Sequence, residues 1–291
     1  MSKLLTGKVI KGVGGVFTVL TSEELRIECK ARKKMRFEGS EVLVGDDVSV
    51  SDENGSFVIE KVIPRKNALT RPRVANVDKA FIVLTVKPLA DFLLADKILV
   101  NCIREGIRPY IVVNKSDITE KSFIDEVEED YGAVVSDIVV VSAAEKTGTE
   151  RLVSEIKGNV CCFVGQSAVG KTSIMNALTG REEETGGLSK IDRGRHTTRH
   201  NEIFEVCGGF VADTAGFSLL SESSVRSEEL CLYYGDFSAY SQECRFNMCT
   251  HTDEPDCAVK AAVGKGELPV RRYERYVELY KELKEQERRK Y

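Results

Sequence analysis

The sequence predicts an α/β protein in three parts: a small N-terminal β-barrel, a central mostly parallel sheet, and a helical C-terminal part. Two changes of pattern along the chain predict this. Short β-branched segments separated by Gly, Asn and Asp fill the first 66 residues, and apolar strands alternate with amphipathic helices from about Asn76. Beyond about Ser221 the chain is helical with a cysteine-rich insert. Alternation of strands and helices is typical of a doubly wound, mostly parallel sheet.

The composition excludes several classes of protein. With 42% hydrophobic and 30% charged residues, the chain is neither disordered nor collagen-like, and 291 residues allow two or three domains. No apolar run approaches the ~20 residues that span a bilayer, and we find no signal peptide, so we expect a cytoplasmic protein without membrane association. Nine cysteines, an odd number, fit a disulfide framework poorly. A net charge of −4 excludes nucleic-acid binding driven by bulk charge.

Residues 1–66 are expected to form an OB-like barrel, and the predicted strands are 7–10, 16–20, 25–29, 47–50 and 57–62. Residues 64–73, with four cations and no acidic residue, resemble a linker. For the central domain, 67–220, we expect strands at 81–86, 109–113, 138–141, 160–164 and 210–212, and helices at 92–105, 119–131, 149–157 and 171–178. Residues 221–291 form the predicted C-terminal domain.

A phosphate-binding loop follows the strand at 160–164. Its residues are Gly165, Gln166, Ser167, Ala168, Val169, Gly170, Lys171 and Thr172, which fit G-x-x-x-x-G-K-[ST]. The glycines allow backbone N–H groups to surround phosphates, helped by the positive end of the next helix. Lys171 is expected to reach the β- and γ-phosphates and Thr172 to bind Mg²⁺, with Ser173 included in the nucleotide-binding set.

Two further motifs predict that the nucleotide is GTP. The residues Asn114, Lys115, Ser116 and Asp117 match N-K-x-D at the end of a strand. Asp117 can accept hydrogen bonds from the ring N–H and the amino group of guanine, whereas adenine would leave the carboxylate unpaired. Ser142 and Ala143, at the end of the strand at 138–141, are expected to supply a second guanine contact through backbone N–H groups.

The γ-phosphate end of the site is predicted from Asp213-Thr214-Ala215-Gly216, a D-x-x-G sequence that closes a strand. We expect Asp213 near Mg²⁺ and the Gly216 N–H near the γ-phosphate. The loop at 194–200 supplies a threonine to complete the Mg²⁺ shell. Thr197 and Thr198 both qualify, and Thr198 is the residue assigned.

His196, beside these threonines, is the predicted catalytic histidine. Many GTPases have a water-positioning Gln directly after D-x-x-G, and here that residue is Phe217, which cannot orient water. We therefore expect His196 to orient the attacking water and Lys171 to stabilise the developing charge. The alternative for His196 is an exposed loop residue or one that contacts RNA.

The motifs occur in a permuted order. An ordinary GTPase has the phosphate loop first and N-K-x-D later, whereas this chain has N-K-x-D at 114–117 and the phosphate loop at 165–172. The same fold can form when its termini are relocated, because termini and loop tips tolerate relocation. The D-x-x-G sequence then leads directly into the C-terminal segment, on which a switch that depends on the γ-phosphate could act.

A metal site is predicted in the C-terminal part. Its residues, Cys244, Cys249, His251 and Cys257, are spaced C-x₄-C-x-H-x₅-C. Three thiolates and one imidazole suit tetrahedral Zn²⁺, and four protein ligands indicate a structural site that supplies folding free energy. Cys231 is an unfavoured spare ligand, and the remaining cysteines are expected to be core residues.

Three basic patches favour local contacts with RNA over bulk attraction. They comprise Arg26, Lys30, Arg32, Lys33, Lys34 and Arg36 in the barrel, Arg65, Lys66, Arg71 and Arg73 in the linker, and Arg271, Arg272, Arg275, Lys281, Lys284 and Arg288 on the last helix. The last helix also has an apolar stripe, made of Tyr273, Tyr276, Val277, Tyr280 and Leu283.

The permuted motifs together with C-x₄-C-x-H-x₅-C resemble the circularly permuted, ribosome small-subunit-dependent GTPase A family (RsgA/YjeQ), over essentially the whole chain. The resemblance implies an OB domain, a permuted GTPase and a zinc domain. It also implies late maturation of the small ribosomal subunit, with GTP hydrolysis stimulated by that subunit, and the family's proposed catalytic His corresponds to His196. The expected partners are the small subunit with its rRNA and GTP or GDP, for a monomeric protein.

Three positions depart from the family pattern. Ala168 stands where the phosphate loop usually has Gly, Ala215 where Pro is usual, and Arg199 where a third Thr is common. None of the three removes a group that the chemistry needs. Two alternatives stay open beside the ribosome-activated GTPase: an RNA-binding assembly factor that uses GTP as a passive switch, and a P-loop ATPase, against which Asp117 argues.

Overall fold

The computed structural model describes residues 4–32, 41–70, 73–180, 201–212 and 225–289. The described residues fall into two compact units. The first is drawn from Met1–Ala80, Thr149–Phe163 and Thr172–Phe217, and the second from Phe81–Gly148, Val164–Lys171 and Ser218–Tyr291. The division into domains at 1–66, 67–220 and 221–291 stays a prediction.

The strands are β1 (Leu4–Val13), β2 (Val16–Thr21), β3 (Arg26–Ala31), β4 (Asp47–Glu53), β5 (Ser56–Val62), β6 (Ala68–Thr70), β7 (Arg73–Ala75), β8 (Lys79–Leu84), β9 (Arg108–Val113), β10 (Ile138–Val140), β11 (Val160–Val164), β12 (Asn201–Val206) and β13 (Gly209–Ala212). The α-helices are α1 (Phe92–Arg104), α2 (Lys121–Tyr131), α3 (Thr149–Ile156), α4 (Lys171–Thr179), α5 (Ser238–Ser241), α6 (Ala258–Gly264) and α7 (Val270–Arg289). Short 3₁₀ helices cover Ser116–Ile118 and Ser227–Tyr233. Among these helices, none is long and apolar enough to cross a bilayer.

The first unit contains the predicted N-terminal barrel. Its strands pair in the order β1-β2-β3-β5-β4, and β4 pairs again with β1, which closes the barrel. Val9, Val48 and Ile59 have no exposed surface, because alternate residues of each strand face the interior.

Part of the predicted linker is folded. β6 pairs with β7 in antiparallel register, and Val44 forms a bridge with Val74. Leu69 and Val74 are buried, so two apolar side chains in a cationic stretch hold this hairpin in place. Because cations predominate in residues 64–73, the sequence pattern does not indicate these two short strands.

The first unit also contains an antiparallel hairpin that the sequence indicates only in part. β12 pairs with β13 around Cys207 and Gly208, which both have positive φ, as in the tight turns that match strand twist. β11 lies parallel to β13. β12 therefore adds an antiparallel strand to the predicted mostly parallel sheet.

The second unit contains strands in the order β10-β9-β8, and β9 and β10 are parallel. All six residues of β8 are buried; five of them are apolar, and the ammonium group of the sixth, Lys79, pairs with Glu155. The N–H of Asn114, directly after β9, donates to the carbonyl of Leu84 at the end of β8, 2.9 Å away. The carboxyl ends of these strands therefore lie at one edge, where polar loops can meet.

Candidate nucleotide site and metal centre

Asn114 connects the three predicted nucleotide-binding segments of the second unit. Its side-chain Nδ2 donates to the carbonyl of Val169 in the phosphate loop at 2.9 Å, and its Oδ1 accepts the N–H of Ala143 at 3.2 Å. Asn114 is only 1% exposed, so these bonds are protected from water. The amide thus fixes the positions of 114–117, 142–143 and 165–171 relative to one another.

Asp117 lies on the 3₁₀ turn that follows β9, where its side chain is exposed. The hydroxyl of Ser142 donates to Asp117 Oδ1 at 2.5 Å, and the same hydroxyl accepts the N–H of Glu145 at 3.2 Å. Because a carboxylate has about four acceptor positions, this bond orients the group and leaves acceptor capacity for a ligand. The arrangement suits a ligand with two adjacent N–H donors.

Lys115 and Ala168 both have left-handed backbone conformations, with φ of 62° and 63°. Lys115 Nζ donates to the carbonyl of Ala168 at 3.2 Å and to that of Lys87 at 2.6 Å. This lysine therefore supports the phosphate loop through backbone oxygens. Ala168 has a positive φ of 63°, a conformation that glycine adopts without strain and that costs an L-residue about 1–2 kcal/mol.

The phosphate loop needs glycine at Gly165, where φ is 130°. A Cβ atom there would lie 2.6 Å from the backbone oxygen of Val83. Val169 is fully buried and anchors the loop, whereas Ser167 and Ala168 are exposed at its tip. Close packing at Gly165 and burial of Val169 therefore fix the loop, and the residues between them are exposed to solvent.

Lys171 closes the phosphate loop. Its Nζ donates to the carbonyls of Gly165 at 2.8 Å and Gln166 at 2.7 Å, and burial lowers the pKa of the ammonium group. The positive charge of Lys171 is therefore held against the backbone of the phosphate loop. Thr172 and Ser173 follow in the first turn of α4.

Several predicted site residues lie outside the described part of the chain. They are His196, Thr197, Thr198, Asp213 and Gly216, together with Phe217. Their roles at the γ-phosphate end stay predictions.

The structure brings the four predicted metal ligands together. The ligand atoms of Cys244, Cys249, His251 and Cys257 all lie within 4.8 Å of one another. Cys244 Sγ lies 3.9 Å from Cys257 Sγ, and His251 Nδ1 lies 3.6 Å from Cys244 Sγ and 3.4 Å from Cys257 Sγ. The cluster can hold a metal ion.

Two tyrosines of α7 support this metal-binding loop. The hydroxyl of Tyr273 donates to the carbonyl of His251 at 2.9 Å, and that of Tyr276 donates to the carbonyl of Thr250 at 2.7 Å. Burial raises the pKa of Cys249 to about 12 and lowers that of His251. Since the thiolate is the form that binds metal, a bound cation would offset the effect of burial on the thiols.

The carboxylates that face α7 are not evident in the sequence. Arg272 is only 1% exposed and forms ion pairs with Asp96 and Asp236, and Arg275 pairs with Asp96 and Asp130. The prediction that these two arginines belong to an RNA-binding basic patch is therefore wrong, because both are committed to buried partners. The acids lie far from α7 along the sequence, so no local pattern indicates the contact.

The other basic patches are largely ion-paired where the structure describes them. Arg32 pairs with Glu53 and Glu60, and Arg65 pairs with the buried Asp46. Further pairs join Arg26 to Glu205, Lys66 to Asp78, Arg73 to Glu41 and Arg271 to Glu129. Lys33, Lys34, Arg36 and Arg71 lie outside the described residues. Exposed pairs contribute little stability, so phosphates could displace them.

Comparison with known proteins gives two family matches. The profile of the RsgA GTPase family matches residues 62–222, and that of the RsgA N-terminal domain matches residues 6–57. The chain is 38% identical to the small ribosomal subunit biogenesis GTPase RsgA of Clostridium beijerinckii, over 99% of this chain and 100% of that protein. It is 40% identical to the protein of the same name from Geobacillus sp., over 97% and 99%.

Two solved structures are similar over nearly the whole chain. YjeQ from Thermotoga maritima superposes with a TM-score of 0.83 at 36% identity, covering 97% of this chain and 99% of that one. YloQ, described as a circularly permuted GTPase, also gives 0.83, at 33% identity, covering 98% and 96%. These matches agree with the permuted motif order and with the barrel.

Proposed function

Because the chain belongs to the RsgA GTPase family, we propose that it binds the small ribosomal subunit and acts in its late maturation, hydrolysing GTP with stimulation by that subunit. Relatives that match it over their full length are named for small ribosomal subunit biogenesis. The hydrogen bond from Asn114 to Val169 supports the nucleotide assignment best, since it joins the N-K-x-D motif to the phosphate loop.

Guanine is recognised by Asp117 in this proposal. The carboxylate, oriented by Ser142, accepts hydrogen bonds from the guanine ring N–H and amino group. The backbone N–H groups of Ser142 and Ala143 are assigned to the guanine carbonyl. In the structure they donate to the carbonyl of Thr147 and to Asn114 Oδ1, so guanine must replace or share one of these bonds. Asn114, Lys115 and Ser116 hold the motif in place. Adenine presents a different donor pattern, so the site discriminates strongly against ATP.

The triphosphate binds along 165–173. Backbone N–H groups of the loop and the Lys171 ammonium neutralise its charge, and this stabilisation increases as charge moves onto the leaving GDP. Thr172, Thr198 and Asp213 are the residues assigned to hold Mg²⁺, which would offset the negative charge of the triphosphate. Of these three, the structure describes Thr172.

Water attacks the γ-phosphorus in line with the bond to GDP, which gives GDP and phosphate. His196 orients that water, and the Gly216 N–H holds the γ-phosphate. Since Phe217 cannot donate or accept a hydrogen bond, the histidine takes the place of the usual glutamine.

Zn²⁺ fits the Cys₃His cluster. Tetrahedral Zn²⁺ places two sulfur ligands about 3.8 Å apart and a sulfur and a nitrogen about 3.5 Å apart. The distances among Cys244, His251 and Cys257, 3.9, 3.6 and 3.4 Å, fit that geometry, and the Cys249 ligand atom lies within 4.8 Å of the other three. Four protein ligands leave no position for a substrate, so the metal has a structural role, holding together a segment with too few apolar residues to fold alone.

The remaining parts of the proposal concern partners. The barrel and the C-terminal domain contact rRNA through local basic groups, and the protein acts as a cytoplasmic monomer without membrane partners. The domain boundaries at 66 and 220 separate these RNA-binding parts from the GTPase.

Two binding experiments test this function. In calorimetry with Mg²⁺, we expect GDP to bind at least about a hundredfold more tightly than ADP. In co-sedimentation with a non-hydrolysable GTP analogue, we expect the protein to pellet with small and not with large ribosomal subunits. Equal affinity for GDP and ADP would contradict the guanine assignment, and no binding to small subunits would contradict the proposed partner.

A further inference from the structure

The side chain of Gln166 joins the phosphate loop to the segment that precedes α1. Its Oε1 accepts the backbone N–H of Asp91 at 2.8 Å, and its Nε2 donates to the carbonyl of Leu89 at 3.0 Å. An amide that makes one bond as an acceptor and another as a donor to one segment fixes both the position and the orientation of that segment.

A second contact and a helix cap strengthen this junction. Lys115 Nζ, which bonds to the carbonyl of Ala168, also holds the carbonyl of Lys87 at 2.6 Å. Asp91 caps α1, because its Oδ1 accepts the N–H of Leu94 at 2.8 Å. A displacement of the phosphate loop therefore acts directly on the N-terminus of α1.

About one and a half turns further along α1, Asp96 lies between two arginines of α7. This carboxylate has no exposed surface and accepts from Arg272 Nη1 at 2.7 Å and from Arg275 Nε at 2.5 Å. Arg272 Nε is also bonded to Asp236, at 2.8 Å. Buried charges that share bonds in this way hold one geometry, since any displacement leaves a charge unpaired.

From α7 the contacts continue to the metal-binding loop through the Tyr273 and Tyr276 hydroxyls. Direct bonds and two helices thus lead from Gln166 to the carbonyl of His251 without a gap. Every member of the series belongs to the second unit.

We propose that Gln166 is a positioning residue that couples the phosphate loop to α7 through α1 and Asp96. The inference rests on the proposed function, because it takes GTP or GDP as the ligand of the loop. Coupling between two binding sites is reciprocal. If a bound nucleotide changes the affinity of the protein for a partner at α7 by some factor, that partner changes the affinity for the nucleotide by the same factor. The α1–α7 contact is then the element through which a bound small subunit acts on the phosphate loop.

Amide hydrogen exchange with and without Mg²⁺ and GDP tests the coupling in the full-length, metal-loaded protein. Gln166→Leu removes both side-chain bonds at similar volume. Lys97→Met is the matched control, since Lys97 pairs with Glu282 at 2.6 Å and joins the same two helices outside the series of contacts. Asp96→Asn interrupts the series at its far end without altering the phosphate loop.

Because Gln166 is itself in the phosphate loop, GDP affinity is measured first for each protein and exchange is compared at saturating GDP. Under those conditions we expect GDP to slow exchange in the phosphate loop of all four proteins. In α7, around 272–276, we expect slowing of about fivefold or more in the wild type and Lys97→Met, and less than about twofold in Gln166→Leu and Asp96→Asn. The coupling would be overturned if GDP slowed exchange in α7 of both Gln166→Leu and Asp96→Asn as much as in the wild type. It would also be overturned if the wild type bound GDP without any change of exchange in α7. Failure of the wild type to bind GDP would instead overturn the proposed function.

Discussion

Asn114 donates its side-chain N–H to the backbone oxygen of Val169, 2.9 Å away and 55 positions later in the chain. The bond places the N-K-x-D motif beside the phosphate loop although the first precedes the second in the sequence. The order in which strands are connected is not the order in which they lie side by side, so relocated termini leave the site intact. The permuted motif order is therefore compatible with one nucleotide site.

Replacing Asp117 changes base preference. Asp117→Asn keeps the shape and replaces one acceptor with a donor, which suits the C2 carbonyl of xanthine and not the amino group of guanine. Because bonds to a charged group contribute about 1.5–3 kcal/mol, we expect GDP affinity to fall about 10- to 150-fold while XDP affinity rises. Calorimetry measures both, with the exposed Asp125→Asn as control. An unchanged preference for GDP over XDP would contradict the role of Asp117.

Ala168 offers a test of backbone strain. Glycine usually destabilises a protein relative to alanine, and Ala261→Gly, at an exposed position of α6, should lower the free energy of unfolding by about 1 kcal/mol. At Ala168, where φ is 63°, relief of strain offsets that loss. We expect Ala168→Gly to leave the free energy unchanged or to raise it by up to about 1 kcal/mol in urea denaturation. Equal losses in the two variants would show that the positive φ carries no strain.

Much of the candidate site was predictable because its motifs are local. The phosphate loop and N-K-x-D each follow a buried strand and are defined by a few adjacent residues, and the metal ligands lie within 14 positions. Spacing alone therefore indicates them. The strands and helices that position them were also indicated, since alternating apolar patterns persist from β8 to α4.

Contacts between distant segments could not be predicted in this way. Asp96 and Arg272 are 176 positions apart, and nothing in the pattern of α1 or α7 marks them as partners. The spacing of α7 places Arg272 beside the apolar stripe, four residues before Tyr276, but only the fold shows which acids lie against it. The hairpin formed by β6 and β7 was concealed for a similar reason, because its cations outnumber its apolar residues.

The buried ion pairs between α1 and α7 should dominate the stability of their contact. Asp96→Asn removes the carboxylate that Arg272 and Arg275 share. Each arginine keeps one acid, Asp236 or Asp130, so we expect the free energy of unfolding to fall by about 3 kcal/mol, the lower end for a broken buried ion pair. Lys97→Met removes the surface pair with Glu282 from the same interface and should cost less than about 1 kcal/mol. Urea denaturation compares them. Equal decreases in the free energy of unfolding for the two variants would show that the buried ion pairs of Asp96 stabilise the contact no more than the pair between Lys97 and Glu282 does.

Metal content tests the Cys₃His cluster. Purified protein should contain one Zn²⁺ per chain, and Cys244→Ser should lose it, since three ligands hold Zn²⁺ far less tightly than four. Cys231→Ser is the matched control, because this cysteine belongs to the same C-terminal part and not to the cluster. Atomic emission spectroscopy gives the stoichiometry. Loss of zinc in Cys231→Ser with retention in Cys244→Ser would reverse the assignment.

GTP hydrolysis with and without small ribosomal subunits, at fixed Mg²⁺ and salt, tests the central claim most directly. We expect slow turnover by the protein alone and a rise of at least about tenfold with the subunits, since a completed site stabilises the transition state. His196→Ala should keep its affinity for GTP and lose the stimulation. Intact GTP binding without any stimulation of the wild-type protein would contradict the account, and would identify the nucleotide site as a passive switch.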